Sequence, residues 1–136
     1  MSILFRKIRY LDASAQSLHE GELLVRDGKI ADFGPSLGNP DGAEIIEAQG
    51  AILCPGLVDM RAAIGEPGFE YRETIASAAQ AAAAGGITSI AVLPETDPVI
   101  DDPALVRFLR SRGEETGSLS VLPYGACLLY TSPSPR

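Results

Sequence analysis

Histidine is nearly absent from this chain: there is one in 136 residues, beside two cysteines and no tryptophan. A metal centre built on imidazole and thiolate therefore has few donors to draw on. Cys54 and Cys127 are too few for a disulfide framework and too far apart for a CxxC knuckle, so both read as incidental. Positive charge is also scarce, with 11 Lys and Arg against 18 Asp and Glu, a net charge of -7 and a pI near 4.6. Phosphate-rich surfaces are gripped by clustered cations, and none appears here, which excludes a nucleic-acid or anionic-membrane partner. Long apolar runs are missing as well. Residues 1–12 carry Arg6, Lys7 and Arg9 among their apolar positions, so they lack the core of a signal peptide, and nothing later would span a bilayer. A cytoplasmic protein is the expectation.

What is present is an ordinary globular composition, 46% hydrophobic and 21% charged. Residues 3 to 54 break into short extended runs, Ile3 to Tyr10, Glu22 to Arg26, Lys29 to Phe33, Ala43 to Glu47 and Ala51 to Cys54, with apolar residues tending to alternate. Asp27-Gly28 separates two of them, and that pair suits the positive φ angles of a type I′ turn, so Leu23 to Phe33 is predicted as a hairpin. Further on, Tyr71 to Ala84 is predicted as a helix. Ile75, Ala78, Ala79 and Ala82 form its apolar face, and Gly85 and Gly86 end it. Thr88 to Leu93 reads as a strand stopped by Pro94. Asp102 as N-cap and Pro103 at the first helical position open a second helix, with Leu105, Phe108 and Leu109 on one face and an end at Gly113 or Gly117. Leu119 to Leu122 begins a further strand. Strand and helix alternating in this order read as βαβαβ with parallel strands.

The most informative stretch is Pro55 to Gly68, Pro-Gly-Leu-Val-Asp-Met-Arg-Ala-Ala-Ile-Gly-Glu-Pro-Gly. Its apolar residues Leu57, Val58 and Met60 lie between two Pro-Gly breakers and predict a short buried strand that empties into a loop. The stretch resembles the opening barrel strand of the cyclic amidohydrolases, dihydroorotases above all, whose pattern is Pro-Gly-Leu-Val-Asp-x-His-x-His-Leu-Arg-Glu-Pro-Gly. Gly21 to Ile30 resembles their early β-sandwich segment in the same way. The resemblance implies an α/β protein: a small β-sandwich over 1–54, then the start of a (β/α)8 TIM-type barrel over 55–126, truncated after about three barrel strands because a whole barrel takes about 250 residues. The last ten residues, Cys127 to Arg136, match a translated transposase-end sequencing adapter residue for residue. They are read as an artefact and set aside, which would make the chain the front end of a longer protein.

The framework of the pattern is kept and its chemistry is not. In the family, two histidines two residues apart share one side of a strand and hold a metal whose bound water becomes the nucleophile. Arg61 and Ala63 stand at those positions; Arg61 would set a fixed positive charge where a cation should bind, and Ala63 has no ligand atom. Gly65 replaces the arginine that holds the substrate carboxylate. Glu95, in Leu93-Pro94-Glu95-Thr96, replaces the asparagine of Met-Pro-Asn-Thr and faces an anion with an anion. Asp59 is retained, but one carboxylate is not a site. His19 is expected to be a solvated turn residue. Glu66, Glu70, Glu73, Asp97, Asp101 and Asp102 are weighed as a substitute cluster and read instead as the acidic residues that loops and helix starts collect. An ion pair between Arg61 and Glu95 is expected in the vacated space.

No catalytic, cofactor or metal residue is therefore expected to survive, and no zinc is expected, although catalytic members of the family carry it. The resemblance implies a dihydroorotase-like protein of pyrimidine biosynthesis that is non-catalytic, oligomeric in full-length form, and a structural partner of aspartate transcarbamoylase. The alternative is an active dihydroorotase or other cyclic amidohydrolase with an altered metal site.

Overall fold

The computed structural model describes residues 1–12 and 16–126. The adapter-like tail, with Cys127, lies outside the described residues. Two compact units divide the chain, Met1–Pro55 and a second from Gly56 onward.

The first unit is one five-stranded mixed sheet of β1 (Ser2–Asp12), β2 (Ser17–Arg26), β3 (Lys29–Gly34), β4 (Glu44–Glu47) and β5 (Ile52–Leu53). Where the resemblance implies a small sandwich, the described residues of this unit form a single sheet. Asp27 and Gly28 have φ of 49° and 74°, and Arg26 pairs with Lys29, so the hairpin closes through the two-residue turn that its sequence demands. An irregularity between Phe5 and Ile8, with Lys7 at φ 51°, divides β1 into two stretches. Ile3 to Arg6 pair with β4 in parallel, while Arg9 and Tyr10 pair with β5. Leu4, Ile8, Leu23 and Leu24 are its buried hydrophobic residues. The predicted strands recur at nearly their expected limits, except that β2 begins at Ser17. His19 thus lies in a strand opposite Tyr10 rather than in a turn. Its Nε2 lies 2.8 Å from Ser17 Oγ, and its ring centroid is 5.8 Å from that of Tyr10.

The second unit runs β6 (Leu57–Ala62), α1 (Ile75–Ala84), β7 (Ile87–Val92), α2 (Pro103–Glu115) and β8 (Ser120–Pro123), with the strands parallel in the order β6-β7-β8. This is the βαβαβ winding of a barrel's first strands. Both helices cover one face of the sheet. The core holds Ile75, Ala79 and Ala82 of α1, Ile90 and Val92 of β7, Leu109 of α2 and Val121 of β8, with Ile64, Ile100 and Leu119 from the connections. Each fully buried Leu or Ile here contributes about 1.5–3 kcal/mol relative to exposure.

Helix α1 starts at Ile75 rather than at Tyr71. Thr74 caps it: its hydroxyl accepts from Ser77 N–H at 3.1 Å while Ser77 Oγ accepts from Thr74 N–H at 3.1 Å, and this reciprocal pair overrides the helix propensity upstream. Helix α2 opens as the sequence predicts, with Asp102 Oδ1 accepting from Ala104 N–H at 2.6 Å and Pro103 at the first position. It continues through Gly113 to Glu115. Phe108 is not on its buried face; Leu105 and Val106 pack beside Leu109, and Phe108 stays exposed. Strand β6 forms where predicted but is not buried: Leu57, Val58 and Met60 are all more than half exposed. It is an edge strand among the described residues. Among the described residues, no helix is long and apolar enough to cross a membrane.

Candidate functional site

Barrel enzymes place their chemistry at the carboxyl ends of the strands. Here those ends carry Asp59 to Ala63 at the end of β6, the 93–98 loop after β7, and Tyr124 after β8. Asp59 pairs with Ile90, and Ala62 with Val92, so β6 takes three steps against two in its neighbour. The extra residue is a bulge. Asp59 Oδ1 accepts from Arg61 N–H at 2.8 Å and occupies a donor that the bulge turns out of the ladder. The retained aspartate is thus a backbone clamp in this geometry. Beyond the strands, the ladder is extended by Leu93 N–H to Ala62 O at 2.9 Å and Tyr124 N–H to Val92 O at 2.8 Å. The Tyr124 hydroxyl then reaches Met60 O at 3.2 Å, joining the ends of β8 and β6. Sequence reasoning missed Tyr124, whose only signal is an aromatic directly after a strand.

Arg61 and Ala63 line a cavity of about 350 Å³ with Asp59, Glu73 and the small residues Ala78, Ala81 and Ala82 of α1. The ion pair expected between Arg61 and Glu95 is not formed. Neither side chain has a hydrogen-bond or ion-pair partner among the described residues, and Glu95 is exposed on the loop after β7. Glu95 lies beyond the end of β7 at Val92 and past Pro94, on a loop fastened to the one after β6 by the Asp97 N–H to Pro67 O bond, so adjacency of the strands does not by itself bring these two side chains together.

Gly65 is buried, and a Cβ there would overlap the carbonyl oxygen of Phe69. The loop is folded directly against it, with Phe69 N–H donating to Gly65 O at 2.6 Å. No side chain fits this position without the loop moving. The peptide bonds Glu66-Pro67 and Asp97-Pro98 are both cis, and Asp97 N–H donates to Pro67 O at 3.0 Å, which fastens the loops after β6 and β7 together.

The six acidic residues have separate tasks or places. Glu66 is buried; its Oε2 accepts from Ile75 N–H at 2.9 Å, and its Oε1 accepts from Arg112 Nε at 2.8 Å. Arg112 Nη1 also donates to Glu115 Oε2 at 2.5 Å. The hydrogen bond to Glu66, followed by that to Glu115, raises the Arg112 pKa further and keeps the guanidinium charged. One carboxylate therefore ties the end of β6 to the start of α1 and the end of α2. Sequence reasoning had assigned Glu66 to the framework but had no signal for Arg112. Glu70 Oε1 accepts from Gly68 N–H at 3.0 Å; this bond, and then a second from its own backbone, hold the carboxyl below its ordinary range. Glu73 accepts from Ser77 Oγ, Asp102 caps α2, and Asp97 packs against Gly68. Among the described residues, no three His, Cys, Asp or Glu side chains are grouped so as to hold a metal ion. The residues at the two family histidine positions do not fit one either: a guanidinium carries the charge of the ion it would face, and a methyl group offers no lone pair.

A family profile described as "Dihydro-orotase-like" matches residues 50–132. A protein named Dihydroorotase from Pelobacter propionicus is 45% identical over 136 residues, which is 100% of this chain and 32% of the relative. Another of that name, from Pelotomaculum thermopropionicum, is 41% identical over 126 residues, 93% of this chain and 29% of the relative. The chain therefore spans about a third of the length of these curated relatives. Among solved structures, an L-hydantoinase (dihydropyrimidinase) from Arthrobacter aurescens aligns with a TM-score of 0.72 at 24% identity, over 90% of this chain and 27% of its own; it shares the fold. A D-hydantoinase aligns with a TM-score of 0.58 at 31% identity, over 69% of this chain and 20% of its own.

Proposed function

Because the chain belongs to the dihydroorotase-like family of amidohydrolases, we propose that it is a dihydroorotase-like protein of pyrimidine biosynthesis that has lost catalysis and works as a structural partner of aspartate transcarbamoylase. The observation that carries this reading is Gly65. Arg61 and Ala63 change ligands on a strand that could otherwise hold them, but at Gly65 the loop itself has closed over the place where a substrate-binding side chain would stand. Substrate recognition and metal binding are separate parts of one mechanism, and both are altered here, while Glu66 of the family framework ties the end of β6 to both helices. A protein that preserves its fold and not its site works through a surface. Oligomerisation of the full-length protein and a cytoplasmic location belong to the same proposal.

A second reading, an active cyclic amidohydrolase with an altered metal site, is favoured by the 45% identity to a protein named Dihydroorotase. One purified sample of the full-length protein separates the two. The scaffold reading expects no stoichiometric zinc held by residues of the first barrel strand, no turnover of dihydroorotate or carbamoyl aspartate, and co-elution with aspartate transcarbamoylase in gel filtration, through an interface of at least about 1,000 Å². A bound metal with turnover would make the altered-site enzyme the better reading.

A further inference from the structure

We propose that Tyr124 is a built-in stopper: its side chain lies across the face of the β6-β7-β8 sheet that the helices leave open, at the carboxyl end of β7, and keeps small ligands out of the place where a barrel holds its chemistry. The inference rests on the scaffold reading, since it adds a steric block to the replaced side chains. Register fixes the side on which Tyr124 stands. Ala91 pairs with Leu122 and Val92 with Pro123, and Tyr124 N–H donates to Val92 O at 2.8 Å, so the ladder runs on through Tyr124. Val121 belongs to the core under the helices. Leu122 therefore lies on the opposite face, and Tyr124, two residues further, returns to it.

Reach fixes the direction of the side chain. Its hydroxyl donates to Met60 O at 3.2 Å on β6, and β7 stands between β6 and β8. With neighbouring strands about 4.8 Å apart, the side chain bridges two strand spacings and passes over β7. Met60 falls between Asp59, opposite Ile90, and Ala62, opposite Val92, so the hydroxyl arrives at the level of Ala91. Ala91 carries the sign of cover. It is 6% exposed on the face without helices, whereas its neighbour Leu122 is 49% and Val58, further down the same face, 53% exposed. Tyr124 itself is 42% exposed, as befits a ring with one side laid on a sheet. The ring is also fastened. The Met60–Arg61 peptide stands in the bulge of β6; Asp59 Oδ1 accepts from its N–H at 2.8 Å and Tyr124 donates to its C=O, so side chains hold both polar groups of that peptide. The stopper is thus tied down next to Arg61, at the first of the two family histidine positions.

The test uses full-length protein carrying Ala91→Cys and follows alkylation of the new thiol by iodoacetamide, read by mass spectrometry of the peptide that contains residue 91. With Tyr124 in place the thiol should react slowly. Adding Tyr124→Ala, or Tyr124→Leu, whose side chain is apolar but too short to reach β6, should raise the rate about tenfold or more. The leucine variant carries the test should the alanine variant not fold. A thiol placed under the helices by Ala79→Cys reports general loosening and should stay protected in both backgrounds; its release to the same extent would make the effect a loss of fold and overturn the inference. Equal rates at residue 91 with and without Tyr124 would also overturn it, fast rates meaning that nothing covers Ala91 and slow rates that something else does. Dihydroorotate turnover by the unaltered protein would sink the stopper and the scaffold reading together, whereas equal alkylation rates without turnover would sink the stopper alone.

Discussion

Glu66 is the residue on which the second unit turns. Its carboxylate is buried and serves an exposed-side guanidinium and a helix N-terminal N–H at once, joining residues 9 and 46 positions away. Truncation would leave the buried Ile75 N–H without its acceptor and Arg112 with Glu115 alone. Glu66→Ala should therefore lower unfolding stability by about 2–3 kcal/mol in urea titration, and Arg112→Ala by less because that side chain is 39% exposed. The double variant should cost less than the sum of the two. At Gly65, restoring the family arginine alone should not restore activity. The new Cβ meets the Phe69 carbonyl, so Gly65→Arg should destabilise by about 1–3 kcal/mol by the same measurement. Glu70 gives a pH effect of known sign. Its folded-state pKa is lowered by the Gly68 N–H and by its own backbone. The contribution is thus present above the unfolded value and lost as pH falls through the folded one. The stability difference between wild type and Glu70→Gln should be small, present at neutral pH, and lost on acidification below the ordinary carboxylate range.

At the scale of elements, the helices show how termini outrank propensity. Tyr71 to Glu73 have acceptable helix residues, but Thr74 and Ser77 satisfy each other's backbone donors, and the chain enters α1 there. Thr74→Ala should cost about 1 kcal/mol of stability. The alanine face of α1 has a different consequence: Ala79 and Ala82 are buried against the sheet, so the helix lies close to it. Ala79→Leu would have to push the helix outward, and a lowered melting temperature should show it.

In the second unit taken whole, the helices cover one face of the three-stranded sheet and leave the other open. Val58, Ser89 and Ser120 share a row by register, as do Ala91 and Leu122, and all five point away from the core formed by Ile90, Val92 and Val121. On that face Val58 is 53% and Leu122 49% exposed, and the edges at β6 and β8 are unpaired among the described residues. A parallel sheet ordinarily has both faces covered. The 136-residue chain alone is therefore expected to bind a hydrophobic dye and to self-associate rather than melt sharply as a monomer. A cooperative melt from a monomeric, dye-free sample would refute this.

The order of elements, the Asp27-Gly28 hairpin, the Asp102-Pro103 helix start and the replacement of both family histidines could be read from the chain alone. Each depends on residues within a few positions of one another or on residue identity itself. The tertiary structure alone decided the rest. Asp59 becomes a clamp because β6 and β7 pair with unequal steps, and Arg61 and Glu95 stay unpaired because Glu95 lies on the loop beyond β7. Phe108 stays out because Leu105, Val106 and Leu109 already fill the contact. Arg112 finds Glu66 across 46 residues, and Gly65 is closed by a carbonyl four residues on that only the folded loop brings round. Such facts depend on which surfaces meet, and a local pattern carries no record of a partner that is distant along the chain.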